Sequence, residues 1–411
     1  MSASALQTRD HSTIALVSIA HGVTHWMHAL VFIVLPMVRE EFGLDYTDIG
    51  LFGAIYYGAS TVVNVTAGPV TDLVQRRERF QLLSLGLLVI ALFAISLSYS
   101  YITFCLAAAL VAVGNSLWHP AAIPYLANRF EAHRGYALAL HSALSNVGDS
   151  LAPAIIGAML SGWFLVQLHW REVAVLNILP ALLILPPILA LVARDRLTAS
   201  AGGVGRGGLG RYFRGLWQQL RSRMVLGIAL MAGLRATAQG GIRIFLPLYV
   251  VDSMGLSLGV AGMALAALSL GGVLAAIPAG IASDRFGRRR IVMVSLAVSS
   301  VLLLALTLVR DELALIVGIS LVGFSIFALR PVMLSWMMDV MPGEMRGAGT
   351  NLMFTTQSLV QVVNPLIAGF FADRFGLVSV FYYFAGMLLL ANAVAFMLPA
   401  ERTAESGTER A

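Results

Sequence analysis

Apolar residues in this chain run almost unbroken for about twenty positions at a time, the length a helix needs to cross the hydrocarbon of a bilayer. Such segments lie near residues 14–38, 48–71, 80–98, 101–127, 135–161 and 172–193, and again near 224–250, 258–282, 291–309, 313–338, 348–371 and 377–399. Isolated strands cannot satisfy their backbone in lipid, and barrel strands show short alternating segments rather than continuous runs, so helices are the only reading left. Composition agrees: 58% of residues are hydrophobic and 12% charged, where a soluble domain carries about 25% charged. An ordinary soluble enzyme is excluded. The expected fold class is all-α membrane protein, with twelve transmembrane helices.

The 27 basic residues are all arginine, and the net charge of +6 would suit nucleic acid if they formed one patch. They do not. Both termini and the loops after even-numbered spans hold 20 of them, the opposite loops hold Arg39, Arg171, Arg310 and Arg374, and three lie inside spans. Arginine excess marks the cytoplasmic side, so both termini are expected there, with membrane lipid rather than nucleic acid as the partner of the loops. Residues 194–223, Gly-rich and then Arg-rich, read as a cytoplasmic linker between bundles at 14–193 and 224–399, with tails at 1–13 and 400–411. The polar first dozen residues precede a full-length span without a cleavage site, which reads as a retained span rather than a signal peptide. Cys105 is the single cysteine, so no intramolecular disulfide or cysteine-based cluster can form. No nucleotide-binding loop or nucleophile elbow is present, so neither a cofactor nor an enzymatic activity is expected.

The two halves repeat at an offset of 212 residues. Gly68, Asp72, Arg76 and Arg77 recur as Gly280, Asp284, Arg288 and Arg289, Arg134-Gly135 as Arg346-Gly347, and Pro153 and Gly157 as Pro365 and Gly369. A duplicated six-span unit predicts a pseudo-twofold axis with a cavity between the halves, an arrangement common among secondary transporters.

After span 2 the sequence reads Gly68-Pro-Val-Thr-Asp72-Leu-Val-Gln-Arg76-Arg77, and after span 8 Gly280-Ile-Ala-Ser-Asp284-Arg285-Phe-Gly287-Arg288-Arg289-Arg290. The second stretch matches in full the signature G-x-x-x-D-R-x-G-R-[RK], and the first departs from it at Leu73 and Gln75. With twelve spans in two halves, the chain resembles the major facilitator superfamily. The resemblance implies two pseudo-symmetric six-helix bundles and a conformational latch built from Gly68, Asp72, Arg76, Arg77, Gly280, Asp284, Arg285, Gly287 and Arg288. A simpler reading makes these residues orientation signals. The echo Gly369-Phe-Phe-Ala-Asp373 lies on the opposite side and reads as a structural turn.

Span 5 carries Gly148, Pro153 and Gly157, similar to a motif of the drug/proton antiporter branch, with Ala152 and Ile156 in place of two of its glycines. On the same helix His141, Ser145 and Asp149 recur at i, i+4, i+8 and share a face. Asp149 lies deep within its span, where an ionisable group is expensive and function is the default expectation; proton coupling competes with a structural ion pair. Span 1 puts His21, His25 and His28 on one face beside Trp26. Proton relay or substrate hydrogen bonding, packing, and metal binding all remain open for them, although no carboxylate or thiolate in the same span would complete a metal site. Span 7 aligns Arg235, Gln239 and Arg243, span 10 adds Arg330-Pro331 where span 4 has Trp118-His119-Pro120, and span 11 supplies Asn351, Gln357, Gln361 and Asn364. Three intramembrane arginines against one aspartate call for an anion, because uncompensated charge in hydrocarbon is costly. The candidate substrate site is therefore Arg235, Gln239, Arg243, Arg330, His25, His119, Gln357, Gln361 and Trp118, with Asp149, His141, His21 and His28 as proton-coupling candidates and no resident metal assigned.

The turn Gly114-Asn-Ser-Leu-Trp118-His119-Pro120 together with Asp149 is loosely similar to fosmidomycin-resistance-like efflux proteins, which implies a proton-driven exporter of small anions. The expectation is a monomeric, multi-pass inner-membrane transporter of a small organic anion, proton-coupled, with export by antiport preferred. The alternatives are an uptake symporter, an exporter of a metal or metal chelate, and a transport-silent sensor or scaffold.

Overall fold

The computed structural model describes residues 8–74, 77–195, 222–341 and 346–399. Span 1 is the helix Thr8–Ile33 continued by Leu35–Phe42, and span 6 is Trp170–Leu176 followed by Leu179–Asp195. The intervening spans 2 to 5 are Tyr46–Val74, Arg77–Ser96, Tyr101–Arg129 and Arg134–Leu160. Spans 7 to 12 are Arg223–Leu248, Leu258–Phe286, Arg288–Leu306, Glu312–Val340, Arg346–Phe375 and Val378–Met397. Eleven of these are long and apolar enough to cross a membrane. Span 11, Arg346–Phe375, falls short because Gln357, Gln361 and Asn364 interrupt its apolar sequence, yet it is a continuous helix packed between others.

Local chemistry sets the ends. Ser222, Ser257 and Asp311 cap spans 7, 8 and 10, the Asp311 carboxylate accepting from the Ala314 amide at 2.8 Å. Each satisfies a backbone donor that a helix start leaves orphaned. Between spans 8 and 9 the chain turns at Gly287 with φ of 89°, a left-handed conformation that only glycine adopts without strain, which accounts for the glycine of the signature. Prolines 120, 124, 153, 186, 187, 247, 278, 331 and 365 lie inside spans, where packed neighbours accommodate the lost hydrogen bonds.

Packing repeats as the sequence does. Span 1 lies against span 5, span 2 against span 4, span 3 against spans 4 and 6; span 7 lies against span 11, span 8 against span 10, span 9 against spans 10 and 12. The bundles meet along two seams that the same offset relates, span 2 on span 11 and span 5 on span 8. In the first, a Cβ on Gly50 would collide with the backbone of Pro365; in the second, one on Gly262 would collide with that of Pro153. Glycine is needed at both because backbone meets backbone.

Beyond the seams, one end of the molecule is tied by polar contacts between the bundles. At the tied end the Asp373 carboxylate accepts from the Tyr46 and Thr47 amides at 2.8 Å and from the Thr47 hydroxyl at 2.6 Å. Its repeat counterpart Ser161 accepts from the Gly259 amide at 2.6 Å. Arg39 pairs with Asp252 at 3.2 Å. Asp373, expected to be a turn residue, is therefore a cap that one bundle places on a helix of the other. At the end bearing the signature loops, no hydrogen bond or ion pair among the described residues crosses between bundles.

Candidate functional site

The site is assembled midway along the spans where the two bundles face one another. On the first bundle, span 1 brings His25 to within 3.1 Å of the Asp149 carboxylate of span 5, and His28 to 3.9 Å. From the second bundle, Arg243 reaches the other carboxylate oxygen at 3.5 Å. Asp149 is thus the centre of a charged cluster spanning the bundles, and its chain position is held by the close approach of Gly148 to the Gly22 backbone. A small pocket beside it is lined by His28, Phe32, Asp149, Pro153, Arg243 and Leu265.

The remaining imidazoles continue this cluster. His21 donates from Nδ1 to the carbonyl of His141 at 2.9 Å and stacks on the His141 ring with centroids 3.9 Å apart. His119 of span 4 meets both His21 and His25 edge-on, at 4.9 and 5.8 Å between ring centroids. One nitrogen from each of His21, His25 and His119 lies within 4.8 Å of the others, and His25, His28 and Asp149 form a second such group. The missing partners that sequence could not supply within span 1 thus come from spans 4 and 5. Trp118, placed with the substrate residues from sequence, is fully buried in an apolar core with Ile14, Val17 and Leu126 and lies behind His21. In this conformation it backs the site rather than facing a ligand, because its neighbour His119 takes the inward position.

The second bundle presents guanidinium and amide. Arg235 is 1% exposed; it donates to Gln239 at 2.7 Å, to Gln357 of span 11 at 3.2 Å and to the Ile326 carbonyl at 3.4 Å. All three acceptors are neutral, so the positive charge of Arg235 has hydrogen bonds but no counterion among the described residues. Arg330 is exposed, lies over the Phe354 ring at 5.8 Å and likewise has no ion-pair partner among the described residues. Gln361 lies beside Gly240, close to the Tyr57 hydroxyl, which donates to the Gly240 carbonyl at 3.2 Å. Asn364 donates to the Thr237 carbonyl and acts as interhelical glue. Tyr57 and Phe354 were not legible as site residues, since a single aromatic on an apolar span gives no signal of its own.

Of the signature residues, Arg76 lies outside the described residues, as do the side chains of Gly68, Asp72, Arg77 and Asn351, and the linker 196–221. In the second copy, Arg288 pairs with Asp284 and also reaches Asp339 of span 10 at 3.3 Å, and Arg285 lies over Phe286. Gly280 faces open space. These contacts all stay within the second bundle.

Comparison with known proteins places the chain. The sequence profile of the Major Facilitator Superfamily matches residues 17–257 and 228–411. The fosmidomycin resistance protein of Escherichia coli (strain K12) is 20% identical over 94% of this chain and 92% of its own length. The multidrug resistance protein MdtG of Klebsiella pneumoniae (strain 342) is 23% identical over 93% and 92%. Among solved structures, an inward-facing, unoccupied bacterial homolog of the human lysosomal transporter Spinster superposes with a TM-score of 0.74 at 15% identity, covering 95% of this chain and 97% of that one. The nucleoside transporter NupG does so at 0.73 and 12%, covering 94% and 98%. With a profile matched over residues 17–411 and two helical bundles in the arrangement it requires, this multi-pass membrane protein belongs to the Major Facilitator Superfamily and is a transporter, not an enzyme.

Proposed function

We propose that the chain is a proton-coupled secondary transporter of a small organic anion, a carboxylate or phosphonate, working by export in exchange for protons. The observation that carries this is the charge balance of the site. Asp149 is taken by His25 and Arg243, and Arg235 and Arg330 are left without an acid among the described residues. Guanidinium binds carboxylate and phosphonate through two parallel N–H donors, and in a partly dehydrated cavity such bonds are strong. An organic cation, which imidazole lone pairs cannot coordinate, would meet the same two charges as repulsion.

Proton coupling follows from the position of Asp149. Protonating it removes the charge that holds Arg243 of the opposite bundle, so one proton changes the interaction between the two moving halves and frees a third guanidinium for the anion. The names of two relatives, a fosmidomycin resistance and a multidrug resistance protein, favour export. A probable L-galactonate transporter of Escherichia coli (strain K12), 28% identical over 31% of this chain, carries a carboxylate by its name. The arginine distribution favours an inner membrane location with both termini in the cytoplasm, and a single chain supplies every residue of the site, which favours a monomer.

The test is counterflow in proteoliposomes with a panel of carboxylates, phosphonates and organic cations under an imposed pH gradient. Gradient-driven accumulation of an anion is the expected result. Transport of cations alone, unaffected by Arg330→Ala, would refute the anion site.

A further inference from the structure

The proposed anion site leaves the imidazoles behind Asp149 without a task. His21, His25 and His119 come from spans 1 and 4, and one ring nitrogen of each falls within 4.8 Å of the other two. Donors around a single ion, at nitrogen–metal distances of about 2.0–2.1 Å, lie no more than about 4.2 Å apart, so these nitrogens need only a small side-chain adjustment to share one. We infer that these three side chains form a binding site for a divalent first-row transition metal ion of the cobalt, nickel and zinc class, with Asp149 as the carboxylate that orients His25.

Tautomers set by the surroundings support it. A carbonyl only accepts, so the His21 Nδ1 facing the His141 carbonyl carries the proton, and neutral His21 presents a bare lone pair at Nε2. That Nε2 is buried and has no hydrogen-bond partner among the described residues, and His21 as a whole is 4% exposed. His25 also offers a free nitrogen: its Nδ1 lies 3.1 Å from the Asp149 carboxylate without hydrogen-bond geometry, and its buried Nε2 has no hydrogen-bond partner among the described residues. A metal-bound histidine usually donates its other ring N–H to a carbonyl or carboxylate, as His21 does to the His141 carbonyl. The buried Nε2 atoms of His21 and His25 thus have no hydrogen-bond partner among the described residues, where native structures normally satisfy such groups. Packing alone is a poor account of them. His25 and His119 are half-buried, which gives access, and three protein ligands leave a coordination position for water or an anionic group.

The other grouping, His25 with His28 and Asp149, is less suited, because Asp149 is already engaged by Arg243 at 3.5 Å and a cation there would displace that pair. The site does not depend on the identity of the anion, since it is measured with none present.

The experiment uses the full-length, tag-free protein in nanodiscs, stripped with EDTA and titrated with Co2+, then Zn2+ and Ni2+ in competition. One Co2+ per chain is expected, with the intense visible bands of a low-symmetry nitrogen site, and X-ray absorption showing imidazole ligands. His25→Gln and His119→Gln should each weaken binding at least tenfold, and Asp149→Asn about 10–100-fold. Binding should also weaken on acidification, because protons compete for the same lone pairs. Melting without metal reports whether each variant is folded, and the wild-type spectra need no variant. Absence of stoichiometric binding by the wild type, binding retained in the double variant of His25 and His119, or loss on His28→Gln with retention in His119→Gln would each overturn the assignment.

Discussion

Spans 1, 4 and 5 bring His21, His25, His28, His119, His141 and Asp149 toward the second bundle. Spans 7 and 10, which the repeat relates to spans 1 and 4, bring Arg235, Gln239, Arg243 and Arg330. The backbone frame is the same on both sides, down to the glycine–proline contacts of the two seams, while the chemistry differs in kind. Imidazole and carboxylate change charge near neutral pH or with their partners; guanidinium never does. At Asp149 itself the repeat places Gln361, so the one titratable acid of the site faces a neutral amide as its symmetry mate. The repeated halves share a frame, and their side chains divide the groups that can change charge from the groups that hold a fixed one.

The strongest challenge to this division is Asp149→Asn. It keeps the shape and removes the titratable charge, so accumulation driven by a pH gradient should be abolished while anion exchange between equal pH compartments survives. Unchanged gradient-driven accumulation would reduce Asp149 to a structural partner of Arg243. Because the substitution also leaves Arg243 unpaired, the double variant Asp149→Asn with Arg243→Gln should recover melting temperature without recovering coupling.

On the opposite face, Arg330→Ala should weaken anion binding by about tenfold or more, since a hydrogen bond between charged groups is worth about 1.5–3 kcal/mol. Arg330→Lys should restore only part, as lysine has no fork. Arg235→Ala should match this loss in affinity and in addition lower the melting temperature, because Gln239, Gln357 and the Ile326 carbonyl lose a shared donor. Affinity of the Arg330 variant measured by ligand-induced thermal shift decides the matter.

A smaller effect tests whether the seams are equivalent as well as the faces. Asp373→Ala removes three hydrogen bonds to the start of span 2, including a cap of the kind worth about 1 kcal/mol, and should shift the population toward opening at that end. Ser161→Ala removes one bond to Gly259 at the other seam and should shift it less. Distances between spin labels near residues 44 and 256 report both; equal shifts would show that the two seams share the load.

The spans, the duplication and the signature glycine were legible in sequence because each is local: a hydrocarbon layer demands length and apolarity residue by residue, and a left-handed turn demands glycine at Gly287. Asp149 and the span-1 histidines could be singled out, since a polar group in an apolar run is conspicuous wherever it goes. Which of them meet could not be read. Arg243 and Asp149 are 94 positions apart in different bundles, and helical periodicity fixes the face a residue takes but not the helix that face will meet. The same limit separated His119 from Trp118: adjacent in sequence, they point about 100° apart on the helix, and only packing turned the histidine to the imidazole cluster and the tryptophan to the core. The sequence alone determined a duplicated twelve-helix membrane frame with an excess of intramembrane guanidinium. Tertiary structure alone decided that Asp149 would neutralise Arg243 rather than Arg235 or Arg330, because charge pairing at 3 to 4 Å depends on how the two bundles meet.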